Sequence, residues 1–172
     1  MKRLIAFVLA AAAAFSLCGC AQEKESEGKW ISFYYCREDI SSYVPDNVLT
    51  QELRQIPDEE NDLISIMNLY LQGPRAPELK NVFPPNCRIV SLTVEGNMSE
   101  VCISKEIGEL EGMNLTVACA CFAKTLMEIN EIQTLRIWGD GVSLAGGEYV
   151  EIHCGNLIFD DKSAAATEPT EP

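Results

Sequence analysis

The N-terminal segment decides how much chain there is to fold. It begins with the cations Lys2 and Arg3, runs through an apolar stretch from Leu4 to Phe15 and closes at Leu17-Cys18-Gly19-Cys20. A basic start, a short apolar run and a small residue before the cut describe a secretory signal. The run from Leu4 to Leu17 falls short of the roughly 20 apolar residues that a membrane-spanning helix needs. Leu17 to Cys20 has the form of a bacterial lipobox, where a signal peptidase cuts before a cysteine that carries thioether-linked lipid. Residues 1–19 are therefore expected to be a lipoprotein signal peptide. Cys20 is expected to be the lipidated first residue of a mature chain held on the extracytoplasmic face of the bacterial cell membrane.

About 150 residues then remain, enough for one domain with a core and too few for two ordinary ones. Removing residues 1–19 takes two of the 13 basic residues and none of the 26 acids, so 11 cations face 26 acids, a formal net charge of −15. Nucleic acid and anionic lipid would be repelled by such a surface. Attachment to the membrane must therefore come from the lipid anchor alone, and a diacylglyceryl group supplies the second acyl chain that stable anchoring needs. Residues 20–29 read as the lipidated cysteine and a flexible tether. At roughly 5 to 6 Å × √n its nine residues after Cys20 reach about 15 to 18 Å, which keeps the domain close to the membrane. Residues 161–172 read as a disordered acidic tail rich in Pro and Thr.

Six cysteines belong to the domain at 30–160: Cys36, Cys87, Cys102, Cys119, Cys121 and Cys154. None forms a CxxC pair, and Cys119 and Cys121 are two apart on a predicted helix and point to nearly opposite faces, so zinc and thioredoxin-like readings fail on spacing. An extracytoplasmic location permits disulfides. Four of the six nevertheless lie in apolar runs, where a free thiol behaves as a small hydrophobe, so buried thiols are the favoured reading.

Along the domain, Trp30 to Cys36 reads as a strand and Val48 to Ile56 as a second, with a turn-rich stretch through Tyr43, Pro45, Asp46 and Asn47 between them. Pro57 ends the second strand. Asp58, Glu59, Glu60 and Asp62 crowd the start of a helix, where carboxylates suit the positive end of the dipole; Asn61 or Asp58 is the expected cap. Leu63, Ile64, Met67, Tyr70 and Leu71 recur at helical spacing and Gly73-Pro74 supplies the stop. Helix-start electrostatics explains the acidic cluster more simply than a metal site. Cys87 to Val94 and Met98 to Ser104 form a β-hairpin about Glu95-Gly96-Asn97.

Asn114 to Ile129 is a helix apolar almost all round until Lys124, which implies burial on more than one side. Its small residues Ala118, Cys119, Ala120 and Ala123 allow close approach to a sheet, or to a second copy in a homo-oligomer. Thr134 to Trp138 is a further strand ending at Gly139-Asp140-Gly141, and Tyr149 to Ile152 and Leu157 to Phe159 are weaker strand candidates. The order β-β-α-β-β-α-β describes an α+β domain in which two helices pack on one face of a mixed or antiparallel sheet.

No catalytic constellation is legible. His153 is the only histidine, so a histidine-rich metal centre is excluded and a nucleophile has one possible imidazole base. Its neighbour Cys154 would face the other way on a strand. No GxSxG, GxGxxG or phosphate-loop sequence occurs. Glu106, Glu109, Glu111, Asp140, Glu148 and Glu151 could pair as glycosidase carboxylates, but in so acidic a chain solvated surface charge is the simpler reading. Neither a metal nor a cofactor is expected, and the chain does not read as an enzyme. The Asn97-Met98-Ser99 and Asn114-Leu115-Thr116 sequons carry no weight in a bacterium.

The elements resemble the GerMN domain of sporulation and spore-germination proteins and related envelope lipoproteins. The likeness lies in a helix ending Leu69-Tyr70-Leu71-Gln72-Gly73-Pro74, the connection Phe83-Pro84-Pro85-Asn86 and the hairpin from Ile89 through Asn97. It continues through the strand Glu100 to Ser104, the helix Leu115 to Ile129 and Thr134 to Trp138 running into Gly139-Asp140-Gly141. It spans about Trp30 to Val142. Membership implies a non-catalytic extracytoplasmic module that scaffolds or assembles envelope protein complexes, with envelope or sporulation-complex proteins as partners and a sheet edge as the place to meet them. The alternative is a binding lipoprotein that captures a small ligand or cell-wall fragment on an aromatic platform of Trp30, Tyr34, Tyr35 and Trp138.

Overall fold

The computed structural model describes residues 28–37, 49–57 and 61–156. The signal, Cys20, most of the tether, the turn through Tyr43 and Asn47, the acids Asp58 to Glu60, the strand candidate Leu157 to Phe159 and the tail lie outside the described residues.

The α+β class holds, and the expected β-β-α-β-β-α-β order is present with two strands added, one after the first helix and one at the end. β1 (Lys29–Arg37) and β2 (Leu49–Ile56) are antiparallel, with Lys29 opposite Ile56 and Cys36 opposite Leu49. α1 (Leu63–Leu71) follows, then the two-residue β3 (Leu79–Lys80), which pairs with Cys36 and Arg37 at the far end of β1. β4 (Ile89–Glu95) and β5 (Met98–Ile103) form the expected hairpin. A short 3-10 turn leads to α2 (Gly112–Ile129), and α2 crosses over to β6 (Thr134–Gly139), which runs parallel to β5. β7 (Tyr149–His153) closes this sheet antiparallel to β6.

Where a single mixed or antiparallel sheet is expected, the strands divide into an antiparallel sheet ordered β2-β1-β3 and a mixed sheet ordered β4-β5-β6-β7. The reason lies at the far edge of β1. Before β3 begins, that edge meets side chains instead of another strand: the Tyr34 amide donates to Thr125 Oγ1 on α2 at 2.9 Å, and Tyr70 Oη on α1 donates to the Tyr34 carbonyl at 3.0 Å. Two helices thus satisfy backbone groups that a neighbouring strand would otherwise take.

Those helices enclose an aromatic core. Tyr35 and Tyr70 stack at 5.0 Å, the Tyr35 hydroxyl donates to the Tyr70 carbonyl at 2.8 Å, and Phe33, Phe83 and Phe122 meet Tyr70 edge-on. α2 buries Ala118, Cys119, Cys121, Phe122, Ala123, Thr125 and Leu126, positions spread around its circumference, as its all-round apolar character requires. Ala118, Cys119 and Ala123 are thus taken up by the core of this domain, not by a second copy.

α1 is capped by Asp62, whose carboxylate accepts from the Ser65 amide at 3.0 Å, in place of the expected Asn61 or Asp58. A cap bonds the amide two or three positions on, and Ser65 stands three from Asp62. At the other end Gly73 adopts φ +95° and the chain turns away, as Gly73-Pro74 predicts. No helix among the described residues is long and apolar enough to cross a membrane.

Candidate functional site

The surface best shaped for recognition is the free edge of β4, and the packing around it fixes how much of that edge is open. Glu95 and Met98 flank a two-residue turn in which Gly96 has φ +61°, the position where a II′ hairpin requires glycine. Glu95 and Met98 therefore bond each other, Thr93 pairs likewise with Glu100, and the intervening Val94 and Leu92 point their amides and carbonyls away from β5. At the start of the strand Asn68 of α1 covers the edge, its Oδ1 accepting from the Ile89 amide at 2.8 Å. A register shift between Ile89 and Ser91 follows. What stays open is Leu92 to Glu95. Val90 and Val94 are exposed, Leu92 is half-buried, and the only charge is the terminal Glu95. Edges of this kind invite another strand, because neither Pro nor Lys lies on it and no element among the described residues covers it.

The solvent face of the same sheet is organised by Arg136 on β6. Its Nε donates to Glu151 Oε2 on β7 at 2.6 Å, its Nη1 lies 3.3 Å from Glu100 Oε1 on β5, and its guanidinium stands over the Tyr149 ring at 5.3 Å. The hydrogen bond from Arg136 lowers the pKa of Glu151 against the upward push of desolvation. Glu151 is thus held as a counter-ion to Arg136, with Glu100 on the other side of the same guanidinium. His153 stands exposed beside Glu151 at 3.4 Å, while Cys154 is buried on the other side. Of the remaining acids Glu109, Glu111, Asp140 and Glu148 are exposed, and Glu106 is half-buried with its pKa lowered by the Ser104 hydroxyl. Among the described residues no three His, Cys, Asp or Glu side chains gather into a metal site.

The four aromatics named for a platform do not assemble. Tyr35 is fully buried, Tyr34 packs against α2 with its hydroxyl on Glu128 at 3.1 Å, and Trp30 stands exposed on β1, whereas Trp138 lies on β6. Trp30 and Tyr34 share one face of β1 but stand four residues apart, Tyr35 is on the opposite face, and Trp138 is in the other sheet. The partner of Trp138 is Tyr149, at 5.1 Å, on the strand that the sequence marks only weakly.

Sequence reasoning misses the ionic staple beneath the β2-β1-β3 sheet. Glu52 and Arg54 alternate with exposed residues on β2 and so both turn inward, where Arg54 is 3 % exposed. Arg54 Nε meets Glu52 Oε1 at 2.5 Å, its Nη2 donates to the Gly73 carbonyl at 2.6 Å, and its guanidinium lies 5.1 Å from the Phe33 centroid. Glu52 Oε2 accepts from the Arg75 and Ala76 amides at 2.8 and 2.9 Å. One buried pair thus binds β2 to the end of α1 and to the chain that leaves it. The available signal was the two-residue spacing of opposite charges within a strand.

The six domain thiols are free, all but Cys102 being buried. Burial pushes the Cys87 and Cys119 thiols up to about 12, and Cys36 and Cys121 share a thiol hydrogen bond between β1 and α2.

With this architecture in place, the comparisons are direct. The profile of the Germane family, described as sporulation and spore germination, matches residues 32–145. The chain belongs to this family. Solved structures that share its fold include two of the same sporulation protein. The tandem GerMN domains of the sporulation protein GerM from Bacillus subtilis align at TM-score 0.58 and 17% identity, covering 74% of this chain and 45% of that one. The first GerMN domain of the same protein aligns at TM-score 0.51 and 12% identity, covering 71% of this chain and 93% of that one. This chain thus spans less than half of the tandem-domain structure and accounts for one GerMN unit. No curated protein matches it.

Proposed function

We propose that this Germane-family chain is a lipid-anchored, non-catalytic scaffold of the bacterial envelope, held at Cys20, and that it assembles protein complexes by accepting a partner strand on the open part of β4. The observation that carries this reading is the unprotected edge from Leu92 to Glu95, displayed by a family domain associated with sporulation and germination. Main-chain pairing gives such an edge affinity, and the alternating side chains on either face give it selectivity. Membership of the family supports complexes of sporulation or germination as the setting.

Val94→Pro tests the edge. It removes an amide that points away from β5 and fixes φ at a value an edge strand tolerates, so the fold should survive. Crosslinking of the lipidated protein in intact cells, with neighbours identified by mass spectrometry, should recover envelope-complex proteins at stoichiometric yield, and Val94→Pro should abolish that recovery while the melting temperature holds. Unchanged recovery in Val94→Pro would move the interface elsewhere. Loss of the membrane fraction in Cys20→Ala is the corresponding outcome for the anchor.

A second reading, capture of a cell-wall fragment, has one observation in its favour. The half-exposed Trp138 and exposed Tyr149 rings are tilted by 33° beside Arg136, a surface on which a sugar ring could stack. Thermal stabilisation by muropeptides that disappears in Trp138→Ala would favour it over scaffolding.

A further inference from the structure

The outward face of the β2-β1-β3 sheet exposes large apolar side chains at the end where β1 begins and β2 finishes. Along β1 and β2 that face is formed by Trp30, Ser32, Tyr34 and Cys36 and, opposite them, Gln55, Leu53, Gln51 and Leu49. α2 covers its Tyr34 and Cys36 end. At the other end Trp30 is 62% exposed and Leu53 59%, on adjacent strands and offset by two residues, so the two side chains lie diagonally on one surface. Both are costly to leave in water, and the registered pairs of this face contain no carboxylate, in a chain with 26 acids.

The place of this patch relative to the anchor is fixed by the chain itself. Gly28 sits against the carbonyl of Ile56, where a Cβ would come within 2.4 Å, so the chain enters β1 pressed onto the end of β2. The tether therefore joins the domain at the corner that bears Trp30, only ten residues from Cys20. Its reach of about 15 to 18 Å keeps that corner close to the bilayer. Tryptophan beside an aliphatic side chain is what the headgroup boundary of a bilayer accepts, the ring apolar and the indole N–H still hydrated.

We propose that the Trp30–Leu53 face docks on the membrane's headgroup boundary and so orients the domain, with the β4 edge of the other sheet left for partners. This rests on the anchoring of Cys20 proposed above. No carboxylate belongs to the registered pairs of this face, so the face itself adds no repulsion at the lipid, and the anchor supplies the attachment while the face supplies only its orientation.

The mature chain has two tryptophans, so Trp138→Phe and Trp30→Phe each leave one reporter. Each lipidated protein would be reconstituted in phosphatidylcholine vesicles, with and without lipid brominated near the top of the acyl chain. A zwitterionic surface avoids repulsion of the tether acids Glu23, Glu25 and Glu27. Flotation first reports anchoring. Protein that stays in solution removes the anchor and this inference together. For protein that floats, the inference expects a blue-shifted Trp30 emission quenched several-fold more by brominated lipid than that of Trp138. Equal quenching, or Trp30 still open to aqueous acrylamide, would overturn the orientation while leaving the anchor standing. A photocrosslinker in place of Leu53 gives the same decision in cells, where transfer to lipid supports the docking and transfer to an envelope protein overturns it.

Discussion

Arg54 shows how a single buried charge can hold separate parts of a small domain in one arrangement. Removing one member of a buried ion pair strands the other, and the cost is typically about 3 to 5 kcal/mol. Arg54→Ala should therefore lose a loss of that order in urea unfolding, and more than Glu52→Gln, because it also abandons the Gly73 carbonyl. A double replacement, Glu52→Gln with Arg54→Met, should recover part of the loss by leaving no lone charge. Glu52 also predicts a pH response. Desolvation pushes its pKa up, and hydrogen bonds from the Ala76 amide, Arg54 and the Arg75 amide outweigh that and hold it below the ordinary glutamate value. A depressed folded pKa means that the folded state binds the proton less readily than the unfolded chain. The staple's stability is thus complete above the unfolded value of about 4.3 and is lost as pH falls below it through the folded pKa. Unfolding midpoints measured across this acid window should fall in the native sequence, and Glu52→Gln should flatten its share of that slope.

The division into two sheets makes a prediction at the scale of elements. Thr125 is the contact that lets a helix take a strand's place beside β1. Thr125→Val keeps the volume and removes the acceptor, so the Tyr34 amide is left unpaired at a half-buried site, a loss of about 1 to 3 kcal/mol. Hydrogen exchange localises the effect: the Tyr34 amide should exchange faster in the variant than its neighbours paired with β2, whereas equal protection would mean that another group takes Thr125's place. This contact also shows what the sequence could disclose. The hairpin about Gly96, the helix stop at Gly73-Pro74 and the burial of α2 on several sides follow from local periodicity and turn chemistry, and each was legible. Nothing local says that Thr125, which reads as one more small residue of a buried helix, reaches a strand 91 positions away. Long-range pairing also hid β3, whose two residues make a strand only because Cys36 and Arg37 stand opposite. For the candidate site the hairpin was readable and its open edge was not, since openness depends on Asn68 covering one end. Trp138 was recognised as an aromatic, but its partner Tyr149 comes from a strand whose pattern is weak in isolation.

Across the whole molecule the question is whether two sheets behave as one unit, and the cysteines are placed to answer it. Cys36 lies on β1, Cys87 in the connection before β4, Cys119 and Cys121 on α2, and Cys154 just past β7, so the five buried thiols sample both sheets and the helix between them. A thiolate is the reactive form, and burial raises the pKa of Cys87, Cys119 and Cys154, so alkylation must wait for an opening that exposes them. Cys102 is half-buried on the solvent side of β5 and should react first, slowed by desolvation and by the charge of Asp140. Mass spectrometry of the native protein during slow alkylation would give a protection factor for each site relative to the unfolded chain. The aromatic cluster joins β1, α1 and α2, and α2 leads directly into β6, so no boundary crosses the core without breaking it. One shared opening free energy for the five sites is therefore expected, equal to that of global unfolding. Lower protection of Cys154 alone would mark local fraying at the end of the domain. Distinct values for Cys36 and Cys87 as groups would show that the two sheets open separately, and the staple at Arg54, which binds β2 to the end of α1, would then be the contact holding the first of them together.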